Sequence, residues 1–158
     1  MLIQILAVGS KMPGWVETGF NEYSRRLTRD VRLELVELPL APRQGSNSMP
    51  PAKLNDWEGE KLLAKLDPKA TFVALDVKGT QFTTEAFAER LSHWQHTGKP
   101  LALAIGGPDG LSKAVLDRAA EKFSLSRLTL PHPLVRIMLA EQIYRAWSYN
   151  QGHPYHRA

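Results

Sequence analysis

Cysteine is absent from the sequence, which excludes a disulfide framework, an iron–sulfur cluster and a thiolate nucleophile. No apolar run approaches the roughly 20 residues that span a bilayer, so no membrane partner is expected. The first residues, Met1-Leu2-Ile3-Gln4-Ile5-Leu6-Ala7-Val8, lack the basic flank and cleavage site of a signal peptide, and the cytoplasm is the expected compartment. Neither G-x-G-x-x-G nor G-x-x-x-x-G-K-[ST] occurs, which removes the dinucleotide fingerprint and the phosphate loop. There is no G-x-S-x-G nucleophile elbow. No H-x-x-x-H or other ligand pair accompanies His132, so no metal site is expected.

What is present fits one domain. The 158 residues are 43% hydrophobic and 23% charged, enough for a single core and far from a disordered composition. The net charge of +4 is unevenly spread. From Arg127 onward, four arginines against Glu141 give +3, leaving +1 for the first 126 residues. His132, His153 and His156 lie in the same stretch. A basic, histidine-rich end suggests an anionic partner, with nucleic acid the leading candidate and a solubilising surface the alternative.

Hydrophobic periodicity predicts alternating strands and helices. Met1–Val8 reads as a buried first strand. Pro13 opens a helix with Val16, Phe20, Tyr23 and Leu27 on one face. Val31, Leu33 and Leu35 form a half-buried strand, and Pro39–Pro51, which contains Arg43, reads as a mobile surface loop. Further helices are predicted over Asn55–Leu66, after Thr83 or Thr84, over Ser112–Ala120 and over Leu134–Asn150. Strands are predicted over Thr71–Val77, Leu101–Ile105 and Phe123–Leu130. The pattern defines an α/β class with a largely parallel sheet.

Ligands of such sheets bind beyond the carboxyl ends of the strands. Three ends qualify: Ala74-Leu75-Asp76, Ile105–Gly110, and Leu125–Pro133. The glycine loop lets a flat ligand approach the main chain, although a tight turn with a helix cap is the commoner reason for such glycines. Asp76 and Asp109 are a candidate carboxylate pair that nothing in the sequence brings together. His132, between prolines, is expected to stop a strand and present its imidazole at the sheet edge. The last helix is apolar nearly all round, which points to a subunit interface or a central core helix. The tail His153-Pro154-Tyr155-His156-Arg157 combines groups able to stack on a base, move a proton and hold a phosphate.

Taken together, Ala7-Val8-Gly9 with Lys11-Met12-Pro13, Ile105–Gly110, Leu128–Arg136, Glu141–Ala146 and His153–Arg157 closely resemble the RlmH family of bacterial methyltransferases, which modify N3 of a pseudouridine in 23S rRNA. The resemblance covers essentially the whole chain. It implies one SPOUT-type domain over residues 1–158, with a C-terminal trefoil knot and cofactor site over roughly 71–150 and a catalytic and RNA-binding tail over 152–158. It also implies a homodimer that binds S-adenosylmethionine through Leu75, Gly106 and the segment Leu125, Ser126, Arg127, Leu128, Thr129 and Leu130. Tyr155, His156 and Arg157 become the candidate catalytic residues, and His132, Arg136 and His153 the candidate RNA contacts. The competing readings are a non-catalytic RNA-binding α/β module and, less favoured, a nucleotide hydrolase.

Overall fold

The computed structural model describes residues 1–28, 30–43 and 49–157. Residues 44–48, within the loop expected over Pro39–Pro51, lie outside the described residues. Five strands, β1 (Leu2–Val8), β2 (Arg32–Leu38), β3 (Thr71–Thr80), β4 (Leu101–Ile105) and β5 (Glu121–Phe123), form one sheet. Its order is β2-β1-β4-β3-β5 and every pairing is parallel. Between and after them run α1 (Gly14–Ser24), α2 (Pro51–Lys65), α3 (Thr84–His96), α4 (Lys113–Arg118) and α5 (His132–Asn150). None of the described helices is long and apolar enough to cross a membrane.

The two-residue period of the strands divides the core. Ile3 and Ile5 of β1 and Leu101, Leu103 and Ile105 of β4 pack with Phe20 of α1, Phe87 and Leu91 of α3 and Leu139 of α5. The alternate residues Leu6, Val8, Ala102 and Ala104 pack with Leu62 of α2 and Val115 of α4. Helices therefore cover both faces, as parallel sheets require. Gly19 lets α5 lie directly on α1, since a Cβ there would come within 2.6 Å of Ile137 Cδ1.

Three expectations need correction. Helix α2 begins at Pro51 rather than Asn55, because the paired prolines start the helix instead of ending the loop. Strand β5 stops at Phe123, not Leu130. A bulge in β3 carries Thr80 back beside Phe123, and its carbonyl accepts the Ser124 amide at 2.9 Å, closing the ladder. Gly79 permits this turn: a Cβ would lie 2.7 Å from the Phe123 nitrogen. Finally, His132 does not end a strand at the sheet edge but opens α5, with Pro131 as the preceding cap.

Candidate active site

Beyond the carboxyl ends of β4 and β5, and beside β3 where it runs past β4, the chain lines an open cavity of about 490 Å³. That size and an apolar wall with a few polar groups are typical of small-molecule sites. Leu75, Asp76 and Val77 form one side, the loop from Gly106 to Leu111 a second, and Leu125, Leu128, Thr129 and Leu130 a third. All three strand ends singled out in the sequence thus meet at one place, and Asp76 and Asp109 share it. Of the eight expected cofactor residues, seven line the cavity; Arg127 is exposed and does not. Leu116 and Val135 also line it and had no sequence signal, since each belongs to a helix whose neighbours are set by the tertiary fold.

The glycine loop is built for close approach. A Cβ at Gly106 would lie 2.4 Å from the Gly110 carbonyl carbon, so a side chain there displaces backbone. Gly110, at φ +76°, returns the chain in a conformation that favours glycine, and its amide donates to the Gly107 carbonyl at 3.0 Å. On the opposite wall the Ser124 hydroxyl donates to the Ser126 carbonyl at 2.9 Å, while Ser126 Oγ accepts the Leu128 amide at 2.9 Å. These local bonds leave the Leu128 side chain 73% exposed at the cavity.

His132 and Arg136, the candidate RNA contacts, are bonded within the chain beside this site. Arg136 is 0% exposed. Its Nη1 donates to Glu37 at 2.7 Å, its Nη2 to the Gly9 carbonyl at 2.7 Å and its Nε to His132 Nε2 at 2.9 Å. His132 Nδ1 lies 2.8 Å from the Gly106 carbonyl. A carbonyl only accepts and the Arg136 Nε only donates, so His132 is the neutral tautomer protonated on Nδ1. Both ring nitrogens are engaged within the chain, and the imidazole ties α5 to the glycine loop.

Burial and the neighbouring Arg136 guanidinium hold the His132 pKa below its usual 6.5. The unfolded chain therefore takes up a proton first as the pH falls. The stability that neutral His132 contributes is full above about pH 6.5 and declines below it, towards its folded pKa. We expect the melting temperature to fall on acidification through this window, and the His132→Gln variant to lose that part of the slope. A wild-type slope identical to the variant's would refute the assignment.

The C-terminal tail packs elsewhere. A short 3₁₀ turn, Pro154–His156, sits on the second half of α5. The Tyr155 hydroxyl donates to Glu141 Oε1 at 3.2 Å, and its ring meets Tyr144 edge-on at 4.6 Å. Arg145 pairs with the same Glu141 and lies over the Tyr155 ring at 5.0 Å. Burial and the Glu141 carboxylate push the Tyr155 hydroxyl up to about 12, so it remains a phenol at neutral pH. His156 meets Tyr149 edge-on at 4.8 Å and its Nδ1 donates to the His153 carbonyl at 2.8 Å, which leaves the lone pair on Nε2 in the neutral ring. His153 and Arg157 are exposed. Tyr144 is twelve residues along α5 from His132, roughly 18 Å at 1.5 Å per residue. The structure therefore brings the expected cofactor residues together and holds the expected catalytic residues away from them within one chain.

The parallel sheet, the glycine-backed cavity past its central strands and the following helix define a known class. The family model described as "Predicted SPOUT methyltransferase" matches residues 1–156. Among solved structures, a probable methylase family protein from Haemophilus influenzae superposes with a TM-score of 0.56 at 11% identity, over 97% of this chain and 69% of that one. A putative methylase family protein from Neisseria gonorrhoeae gives 0.54 at 14% identity, over 90% and 81%. Those two likenesses concern the fold alone. The curated relatives are nearer. Ribosomal RNA large subunit methyltransferase H of Hahella chejuensis is 52% identical over 157 residues, 99% of each chain. The protein of that name from Alkalilimnicola ehrlichii is 51% identical over 158 residues, 100% of each. The chain belongs to the ribosomal RNA large subunit methyltransferase H family of SPOUT methyltransferases.

Proposed function

We propose that the chain is an S-adenosylmethionine-dependent methyltransferase that modifies N3 of a pseudouridine in 23S rRNA, acting in the cytoplasm as a homodimer on the assembled ribosome. The observation that carries the reading is the glycine-backed cavity at three parallel strands, in a chain about half identical to ribosomal RNA methyltransferases. Leu75, Gly106 and the segment Leu125–Leu130 would hold the donor, main-chain groups on its adenine and leucines on its faces. Gly106 lets the loop fold tightly against Gly110 and Leu111 at the cavity wall, and the exposed Leu128 gains an apolar cover. Bound there, the donor supplies an electrophilic methyl group on a sulfonium. Residues 1–158 form a single domain in this reading, and the trefoil knot would lie within 71–150, around the cavity.

The protein's own residues handle the proton and the charge. N3 of pseudouridine lies between two carbonyls, so its proton must leave as the nitrogen is methylated. His156 is the proposed acceptor, through Nε2. Tyr155, a phenol bonded to Glu141, positions the tail. Arg157 and His153 meet phosphate or the developing enolate-like charge. Because the tail rests far along α5 from its own cavity, it would complete the cavity of the second subunit. Trp15, Leu134 and Met138, exposed on α1 and α5, offer the apolar surface on which two copies meet.

Calorimetry with S-adenosylmethionine, followed by labelled-methyl transfer to ribosomes and to free 23S rRNA, tests the reading. Expected are stoichiometric donor binding, transfer to ribosomes in preference to free rRNA, and a loss of donor affinity of about 100-fold or more in Gly106→Ala. Absence of donor binding by the wild type would favour the non-catalytic RNA-binding module.

A further inference from the structure

Behind the glycine loop lies a set of charges that methyl transfer does not use. Glu58, in the middle of α2, is 1% exposed, and a carboxylate is rarely buried so completely unless it is partnered. Its Oε2 accepts the Ala41 amide at 3.0 Å and pairs with Arg43 Nη1 at 2.7 Å. The other arm of the same guanidinium, Nη2, donates to Asp109 Oδ2 at 3.2 Å. From the preceding turn of α2, Asn55 Nδ2 donates to the Asp109 carbonyl at 3.3 Å. Gly107 closes the arrangement: a Cβ there would lie 3.3 Å from Glu58 Oε1 and 3.1 Å from Val8 Cγ1, so the loop backbone rests on the buried carboxylate.

Asp109 lines the cavity, whereas Glu58 and Arg43 do not. Among the described residues, Arg43 alone joins the buried carboxylate to the one on the cavity wall. A planar guanidinium with two separated Nη groups suits that task, and the single ammonium of a lysine does not. Resting on the reading of the cavity as the methyl-donor site, we infer that Arg43 is a positioning residue for it: anchored on Glu58, it fixes Asp109 and the glycine loop in the register that a bound donor needs. Donor affinity then depends on a side chain that does not touch the donor. The cost of losing the bridge falls on the glycine loop, which must be ordered anew each time the donor binds.

Four variants test this by calorimetric donor binding, thermal melting and steady-state kinetics on ribosomes. Arg43→Lys keeps a cation on Glu58, so its melting temperature stays near the wild type while its donor affinity falls about tenfold, the size expected for breaking one charge-assisted bond. KM for the donor rises and kcat at saturation is unchanged. Asp109→Asn loses a similar amount, and the Arg43→Lys/Asp109→Asn double is no weaker than the weaker single, because both break the same link. The Arg43→Met/Glu58→Gln double removes the pair without stranding a buried charge, folds, and shows the same loss. Wild-type affinity in the folded Arg43→Lys and Arg43→Met/Glu58→Gln proteins overturns the inference, as do additive losses in the Arg43→Lys/Asp109→Asn double. Failure of the wild type itself to bind the donor would instead sink the cavity assignment on which the inference stands.

Discussion

A chain truncated after Gly152 is expected to fold and bind the methyl donor within about twofold of the full chain, yet to transfer methyl groups on the order of 1,000-fold more slowly, within the range that a positioned acid–base group supplies. The two halves of that result come from different parts of the molecule. The cavity is bounded by strand ends, the glycine loop and the first turn of α5, whereas the bonds and aromatic contacts of the tail run to the second half of α5. The tail lies against Glu141, Tyr144 and Tyr149, so its removal bares one face of α5 and frees the Glu141 carboxylate, which keeps Arg145 as a partner. Loss of a half-buried tyrosine and its aromatic contact should cost about 1–3 kcal/mol, a fall in melting temperature of several degrees and not an unfolding.

A mixed dimer sharpens the test. Coexpression of the truncated chain with full-length Gly106→Ala gives heterodimers in which one subunit has a sound cavity and no tail, and the other has a tail and a defective cavity. If each tail serves the opposite cavity, one of the two sites is complete, and a random mixture recovers about a quarter of wild-type turnover. If each tail serves its own cavity, nothing is recovered. Full turnover by the truncated chain alone would remove the tail from the reaction.

The architecture was legible because its signals are local and repeated. The wholly apolar Leu101–Ile105 could only be a strand buried on both faces, and Thr83 does cap α3 by accepting the Ala86 amide at 3.1 Å. The site was legible to the extent that it follows from strand ends, which is why Leu75, Gly106 and Leu125 meet as expected. Phe123–Leu130 misled because Phe-Ser-Leu-Ser-Arg-Leu-Thr-Leu alternates like a strand. Serine hydroxyls instead satisfy the local backbone, and the β3 bulge occupies the place where the ladder would continue. Arg127, which the resemblance places in the same segment, has an exposed side chain outside the cavity lining. His132 and Arg136 illustrate a deeper limit. Their meaning depends on Gly106, Glu37 and Gly9, partners as much as 127 residues away, and no window along the chain contains both ends of such a contact.

Arg136→Met should be the most destabilising single substitution near the site, at about 3–5 kcal/mol and roughly 10 °C or more in melting temperature, and should also abolish measurable donor binding. The guanidinium is fully buried and serves three acceptors on three elements: Glu37 at the end of β2, the Gly9 carbonyl after β1, and His132 on its own helix. A methionine fills much of the volume but donates to none of them. The Gly9 carbonyl and His132 Nε2 would be left buried and unpaired, which is the expensive outcome for polar groups. The Glu37 carboxylate is 41% exposed and would turn to water, so Glu37→Gln should cost only about 1 kcal/mol or less. That contrast separates an ion pair from a three-way hydrogen-bond anchor, since loss of an ion pair alone would make the two substitutions comparable. Donor binding fails for a connected reason: without Arg136 the His132 ring loses the partner that sets its tautomer, and its bond to the Gly106 carbonyl no longer holds the glycine loop against α5. Thermal melts and donor titrations of Arg136→Met, Glu37→Gln and the double variant check this. Equal destabilisation by the two single changes, or an Arg136→Met protein that melts and binds like the wild type, would refute the anchor.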